Sequence, residues 1–288
     1  MKAAPAVAFA VILIGINLEC SQDNTDILTE IGVCTSISNH KILEENGCSF
    51  IEESVGRFLV PNEPDDVFLE NLEKLKESSL PVYACNGFIP GELKSVGPET
   101  DHEKILLYAE TAFKRAQQCG IKTIVFGSGA SRRIPEGFGK DQAEKQFIDL
   151  LKRMGSIAGK YGVVVSIEPL NMRETNFINT LNEGVEITKT VDHNNIRLLA
   201  DLYHMLQENE TPAEIINAGG LLFHCHIAEK DKRTPPGIVR DNFKPYFEAL
   251  KQINYRGRIS IECRWDDMKE QMPIAVEYLH EQIKDIYK

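Results

Sequence analysis

Short runs rich in Val, Ile, Leu and Phe recur along the chain at Ile31–Ser36, Cys48–Ser54, Pro81–Asn86, Thr123–Ser128, Val163–Glu168, Ile196–Asp201, Leu221–Ile227 and Arg258–Cys263. Between them lie segments with charged faces and apolar positions three or four apart: Val67–Glu77, Asp101–Cys119, Asp141–Tyr161, Leu181–Thr190, Thr211–Asn217, Asn242–Ile253 and Met268–Tyr287. The first set predicts strands and the second helices, alternating throughout. Strand starts fall about 32 residues apart on average, which suits a βα unit; only the first interval is short. Gly120 follows one predicted helix as a C-cap, and Thr211, Pro212 and Glu214 form a capping-box-like start to another. Eight such units predict an α/β fold, a single (β/α)8 TIM barrel over residues 26–288. The competing open, doubly wound sheet is disfavoured because no GxGxxG follows the first strand.

Residues 1–20 are set apart. Lys2 precedes a charge-free stretch from Ala3 to Leu18, and the polar run Ser21, Gln22, Asp23 and Asn24 follows closely. This reads as an export signal too short for a comfortable membrane span. Cys20, directly after the apolar run, resembles the lipidated cysteine of a bacterial lipoprotein, although Glu19 departs from the small residue usual before it. The expected location is outside the cytoplasm, periplasmic or lipid-anchored, with membrane contact only through Cys20. The seven cysteines have no CxxC and no regular framework, so Cys34, Cys48, Cys85 and Cys225 read as small buried hydrophobes. A formal charge of −11, with basic residues scattered among acidic ones, argues against nucleic acid as a partner.

In a barrel of this kind chemistry sits where strands end at the C-terminal face. Those ends carry Glu52 and Glu53, Asn86, Ser128, Glu168, Asp201, His226 and Glu262. A single carboxylate at such a position often caps the next helix, and a single histidine is often a hydrogen-bonded core residue. Four on successive strands are different, because neighbouring strands lie about 5 Å apart and their ends face a common centre. Three carboxylates and an imidazole would repel without a cation. An oxygen-rich set with one nitrogen and no sulfur suits manganese, cobalt or magnesium, with zinc as a further option, and leaves positions for a chelating substrate. Vicinal oxygens of a sugar or keto sugar chelate in this way, and proton transfer beside a carbonyl is the chemistry suggested.

These residues resemble the xylose isomerase-like barrels of the sugar isomerase and ketose 3-epimerase type. The resemblance spans the chain after the signal and is carried by Glu168-Pro-Leu-Asn171-Met-Arg-Glu174, Asp201-Leu-Tyr-His204, His224-Cys-His226-Ile-Ala-Glu229, the Arg233–Gly237 segment and Ile259-Ser-Ile-Glu262. It implies one divalent metal ion held by Glu168, Asp201, His226 and Glu262. It also implies that Glu168 and Glu262 act as the catalytic acid and base through a metal-stabilised enediolate, with Glu174, His204 and Arg233 holding substrate hydroxyls. The stretch after Glu229 is one residue longer than the family pattern, so Lys232 or Arg233 fills the basic position. His224 is expected one layer deeper than His226 on the same face. Relatives are often dimers or tetramers, which makes a homo-oligomer an expected assembly, although no interface stripe stands out.

Gly127 and Gly129 with Arg132 and Arg133 lack the context of a phosphate loop, and the two arginines read as solvated. Trp265 is open to stacking on a sugar or to packing at the rim. The reading that results is a metal-dependent sugar isomerase or epimerase acting on a free or modified, unphosphorylated sugar. A lyase on 3-keto glycosides and a non-catalytic sugar-binding barrel are the alternatives. A multi-metal repair endonuclease on the same barrel is disfavoured by the net charge and by the few histidines near the face.

Overall fold

The computed structural model describes residues 30–287; the expected export signal and Cys20 lie outside them. Eight parallel strands, β1 (Ile31–Cys34), β2 (Phe50–Ser54), β3 (Val82–Asn86), β4 (Thr123–Phe126), β5 (Val164–Ile167), β6 (Ile196–Asp201), β7 (Leu222–Ile227) and β8 (Arg258–Ile261), form a closed barrel in chain order. Closure comes from β1 pairing with β8, Ile31 opposite Ile259 and Gly32 opposite Ser260. Each strand lies within its predicted run, trimmed at some ends by one or two residues. The helices are α1 (His40–Glu45), α2 (Asp65–Glu77), α3 (His102–Cys119), α4 (Gly129–Arg132), α5 (Lys140–Lys160), α6 (Leu181–Val191), α7 (Leu202–Gln207), α8 (Pro212–Ala218), α9 (Lys244–Gln252) and α10 (Met268–Ile286). The three short ones, α1, α4 and α7, were not anticipated. Each is shorter than two turns, which is too little for a 3.6-residue period to show.

The outer ring forms because each long helix buries one apolar stripe against the barrel. In α3 the stripe is Ile105, Leu106, Ala109, Ala112, Phe113 and Ala116; Asp101 caps its first turn by accepting from the Lys104 amide, and Gly120 ends it at φ 75°. A chain of aromatic rings, Phe88, Phe126, Phe147 and Phe177, runs through the barrel–helix layer with successive centroids 5.3–5.5 Å apart. At α8, Thr211 occupies the N-cap, but its side chain makes no capping hydrogen bond; Pro212 fixes the first turn instead.

Inside the barrel the lower layers are tightly filled. A side chain on Gly32 would strike the Phe50 ring at 2.3 Å, so any larger residue there has to displace that ring. The Arg258 guanidinium stacks 3.8 Å over Tyr83 beneath the centre. Among the described residues, no helix is long and apolar enough to cross a membrane.

Candidate active site

The strand ends meet above that floor. Asp201, the last residue of β6, turns the chain into α7: its Oδ1 accepts from the Tyr203 amide at 2.8 Å while Oδ2 faces the barrel axis. The short helix thereby returns His204 to the same point, its Nε2 3.4 Å from Asp201 Oδ2 and 3.9 Å from Glu168 Oε1. The Asn171 backbone N–H (3.2 Å) and side-chain amide (2.8 Å) both reach His204 Nδ1. A backbone N–H can only donate, so Nδ1 accepts and a neutral His204 presents Nε2–H to the centre.

Glu168 follows β5 and needs space that Gly127 provides: a methyl group on Gly127 would sit 2.2 Å from Glu168 Oε2. Gly127, which lacks the context of a phosphate loop, thus has a steric role. Arg132 corrects the expectation of a solvated arginine. It is fully buried, and donates to the Glu168 carbonyl at 2.7 Å and the Phe126 carbonyl at 3.3 Å, pinning the backbone at the ends of β4 and β5. Burial lowers its pKa to about 10, against the opposing charge of Glu168. Arg133 is exposed, as expected.

His226 and Glu262 complete the cluster. His226 Nδ1 lies 2.8 Å from Glu262 Oε2 and 3.3 Å from Glu168 Oε1. Glu262 is held on its other oxygen by Asn86 Nδ2 at 3.1 Å. Arg233 reaches over from the loop after β7. Its Nη2 donates to Asp201 Oδ2 at 2.9 Å and Glu262 Oε2 at 2.5 Å, and its Nε to the Glu262 carbonyl at 2.9 Å. The guanidinium also lies 4.7 Å over the Tyr203 ring. Of the two basic residues open at this position, Arg233 contacts the cluster, whereas Lys232 is exposed. Glu174, at the rim, accepts from Asn171 Nδ2 at 3.2 Å and lies 3.8 Å from Arg233 Nη1.

All seven residues singled out in the sequence thus gather at one mouth. One ligand atom from each of Glu168, Asp201, His226 and Glu262 lies within 4.8 Å of the others. Glu168 Oε1, His204 Nε2 and His226 Nδ1 are buried there without a hydrogen-bond partner among the described residues. The close approaches of His226 Nδ1 to Glu168 and Glu262 lack hydrogen-bond direction. Buried polar atoms left in this way fit a cation that would take up their lone pairs, and His204 Nε2–H suits a substrate oxygen. Burial pushes the Glu168 carboxyl up, and the charge of Glu262 adds to this. For Glu262 burial acts in the same direction, but His226 and Arg233 outweigh it and hold the carboxyl down at about 2. Burial opposes charge on His226, yet Glu52 and Glu262 raise its pKa well above the ordinary value.

Four participants were not assigned from sequence: Asn86, Arg132, Asn171 and Glu52. Glu52, completely enclosed, accepts from His226 Nε2 at 2.9 Å and His224 Nε2 at 2.8 Å. Its signal in the sequence was a charge at an inward-facing position of an apolar strand. His224 lies one layer below His226, as expected. Cys48, Cys85 and Cys225 are buried free thiols, whereas Cys34 is only half-buried, with Sγ 4.0 Å from His226 Nε2. Trp265 packs half-buried against the core. Above the cluster opens a polar cleft of about 720 Å³, whose walls include Arg173, Glu174, Tyr203, Lys232 and Arg264.

A closed parallel barrel with a carboxylate–imidazole cluster at its C-terminal mouth defines a class of barrels whose chemistry is carried by strand ends. More narrowly, residues 41–282 match the model of the xylose isomerase-like TIM barrel, and the chain belongs to that family. It is 34% identical over 116 residues to D-psicose 3-epimerase of Ruminiclostridium cellulolyticum, covering 40% of this chain and 39% of that enzyme. It is 29% identical over 212 residues to 3-dehydro-D-guloside 4-epimerase of Escherichia coli, covering 69% of this chain and 79% of the relative. The crystal structure of 3-keto-D-glucoside 4-epimerase from E. coli superposes with a TM-score of 0.74 at 24% identity, covering 88% of this chain and 99% of that one, and shares the fold. The chain spans about half or less of the length of the curated ketose 3-epimerases that it matches. These relatives are sugar epimerases.

Proposed function

We propose that the protein is a divalent-cation-dependent sugar epimerase or isomerase acting on a free or glycosidically linked keto sugar. The observation that carries this reading is the convergence of Glu168, Asp201, His226 and Glu262 from four successive strands, two of them glutamates able to exchange protons across one centre. A divalent cation held by these four, with manganese, cobalt or magnesium best suited to the donor set, would polarise a carbonyl next to the reacting carbon. One of the two glutamates takes the proton from the carbon beside the ketone, and the other returns a proton from the opposite face. Arg233 and His204 Nε2–H face the negative charge of the enediolate formed between the two steps, and Glu174 holds a hydroxyl at the rim.

The test is metal content of the purified chain without residues 1–20, with solvent deuterium exchange into a panel of ketoses and 3-keto glycosides. Wild type is expected to carry one divalent ion and to exchange only with it. Glu262→Gln should lower exchange by roughly 10²–10⁴-fold, and His226→Ala should weaken metal retention. Exchange at the wild-type rate in Glu262→Gln would overturn the assignment. Release of an aglycone without C–H inversion would favour the lyase reading, which keeps the same glutamates. The proposal extends to an exported protein, checked by the mass of the mature N-terminus: cleavage before Cys20 with an added lipid mass distinguishes anchoring from secretion.

A further inference from the structure

The proton transfers above use neither Glu52, His224 nor Ser260, yet all three are fully buried and joined to one another. Glu52 points into the barrel, in a layer that such barrels fill with branched apolar side chains. A carboxylate there is costly unless it is hydrogen-bonded, and an apolar residue would fill the space. Three donors on β7 and β8, strands that do not pair with β2, reach it. His226 Nε2 lies 2.9 Å from Oε1, while His224 Nε2 at 2.8 Å and Ser260 Oγ at 2.6 Å share Oε2. Packing alone requires none of this.

We infer that Glu52 is a positioning residue of the cation site, holding His226 through Nε2 so that the Nδ1 lone pair is aimed at the point it shares with Glu168, Asp201 and Glu262. A ring nitrogen committed as a donor to a carboxylate leaves the other nitrogen as the ligand, and the carboxylate makes that ligand more basic. Ser260 extends the same anchor to β8, two residues before Glu262, so the placement of two ligands depends on one buried carboxylate. His224 occupies Oε2 from a neighbouring position on β7 and keeps the carboxylate from turning. The inference rests on the cation site proposed above.

Two measurements test it. Zn²⁺, which is diamagnetic, is titrated into ¹⁵N-histidine-labelled wild type, and long-range ¹H–¹⁵N spectra follow the ring nitrogens of His226. Nε2 is expected to stay protonated throughout while Nδ1 shifts. Co²⁺ affinity is then measured by chelator competition on wild type, Glu52→Gln, Glu52→Asp and Ser260→Ala, with circular dichroism reporting the fold. Glu52→Gln should weaken Co²⁺ binding by roughly 10- to 100-fold, Glu52→Asp should recover part of that loss, and Ser260→Ala should cost less than Glu52→Gln. Unchanged affinity in folded Glu52→Gln, or loss of the Nε2 proton when Zn²⁺ binds wild type, overturns the role of Glu52 and leaves the cation site standing. Wild type that binds neither ion removes the cation site and the inference with it. If Glu52→Gln does not fold, the wild-type spectra decide.

Discussion

Gly127 shows how closely the site is fitted at the scale of single residues. A Cβ there would overlap Glu168 Oε2 at 2.2 Å, and the neighbour that must yield is one of the two proposed proton-transfer groups. Gly127→Ala is therefore expected to fold, because only a side-chain end has to move, and to lose exchange activity by roughly 10²-fold, the effect expected of about 1 Å of misplacement. Kinetics would show the loss in kcat more than in KM; wild-type kcat would mean that Glu168 takes no part in the chemistry. His204 gives a second residue-scale prediction. Its Nε2–H faces the centre only while Asn171 donates to Nδ1. The backbone donor survives Asn171→Ala, so the tautomer should persist. KM should rise by several-fold, since one of two donors orienting the ring is lost at roughly 1 kcal/mol. An unchanged KM would show that the backbone contact alone suffices.

At the scale of elements, the loop after β7 is the segment most clearly built for the site. Lys232 and Arg233 are both left-handed, at φ 53° and 58°, a costly pairing of non-glycine residues, and this turn directs the guanidinium inward. The buried Glu229 carboxylate offsets that strain by accepting from the backbone amides of Gly237, Val239, Arg240 and Asp241. Glu229→Ala should release the loop, costing about 1–3 kcal/mol for the amides left without acceptors. Faster proteolysis within residues 230–240, with the rest of the chain protected, is the expected reading; unchanged cleavage would mean that the loop holds itself. Elements of this kind mark the limit of what the sequence carries. The barrel was legible because eight strand runs alternate with segments of helical period, and the clustering of Glu168, Asp201, His226 and Glu262 because each ends an apolar run. Arg132 was misread because nothing local distinguishes a buried arginine from the solvated one beside it. Its partners are carbonyls of Phe126, Glu168 and Ile178, brought together only by strand pairing. Glu52 went unassigned for the same reason, since its donors lie on β7 and β8, strands distant in sequence that do not pair with β2.

At the scale of the whole molecule, stability against pH should carry the mark of one group far from the proposed chemistry. Glu210 lies between α7 and α8, where its Oε1 accepts from the Leu181 amide at 2.8 Å. Burial raises its pKa from 4.5 to about 7, and the charges of Glu214, Glu208 and Glu183 reinforce the shift against the Leu181 hydrogen bond. The folded state therefore holds a proton that the unfolded chain releases as pH rises past 4.5. Stability from this group is fully present below that pH and falls as pH rises towards 7, remaining low above it. Full conversion of the shift would give roughly 3 kcal/mol; discounting for the solvent that still reaches the carboxyl leaves about 1 kcal/mol. Glu210→Gln keeps an acceptor for Leu181 and cannot ionise. Its Tm should match wild type near pH 5 and exceed it by about 2 °C at pH 8. The difference between the two curves isolates this residue from every other titrating group. A constant offset across the range would place the effect in packing, and a variant less stable at pH 8 than at pH 5 relative to wild type would mean that the ionised carboxylate is the form the fold prefers.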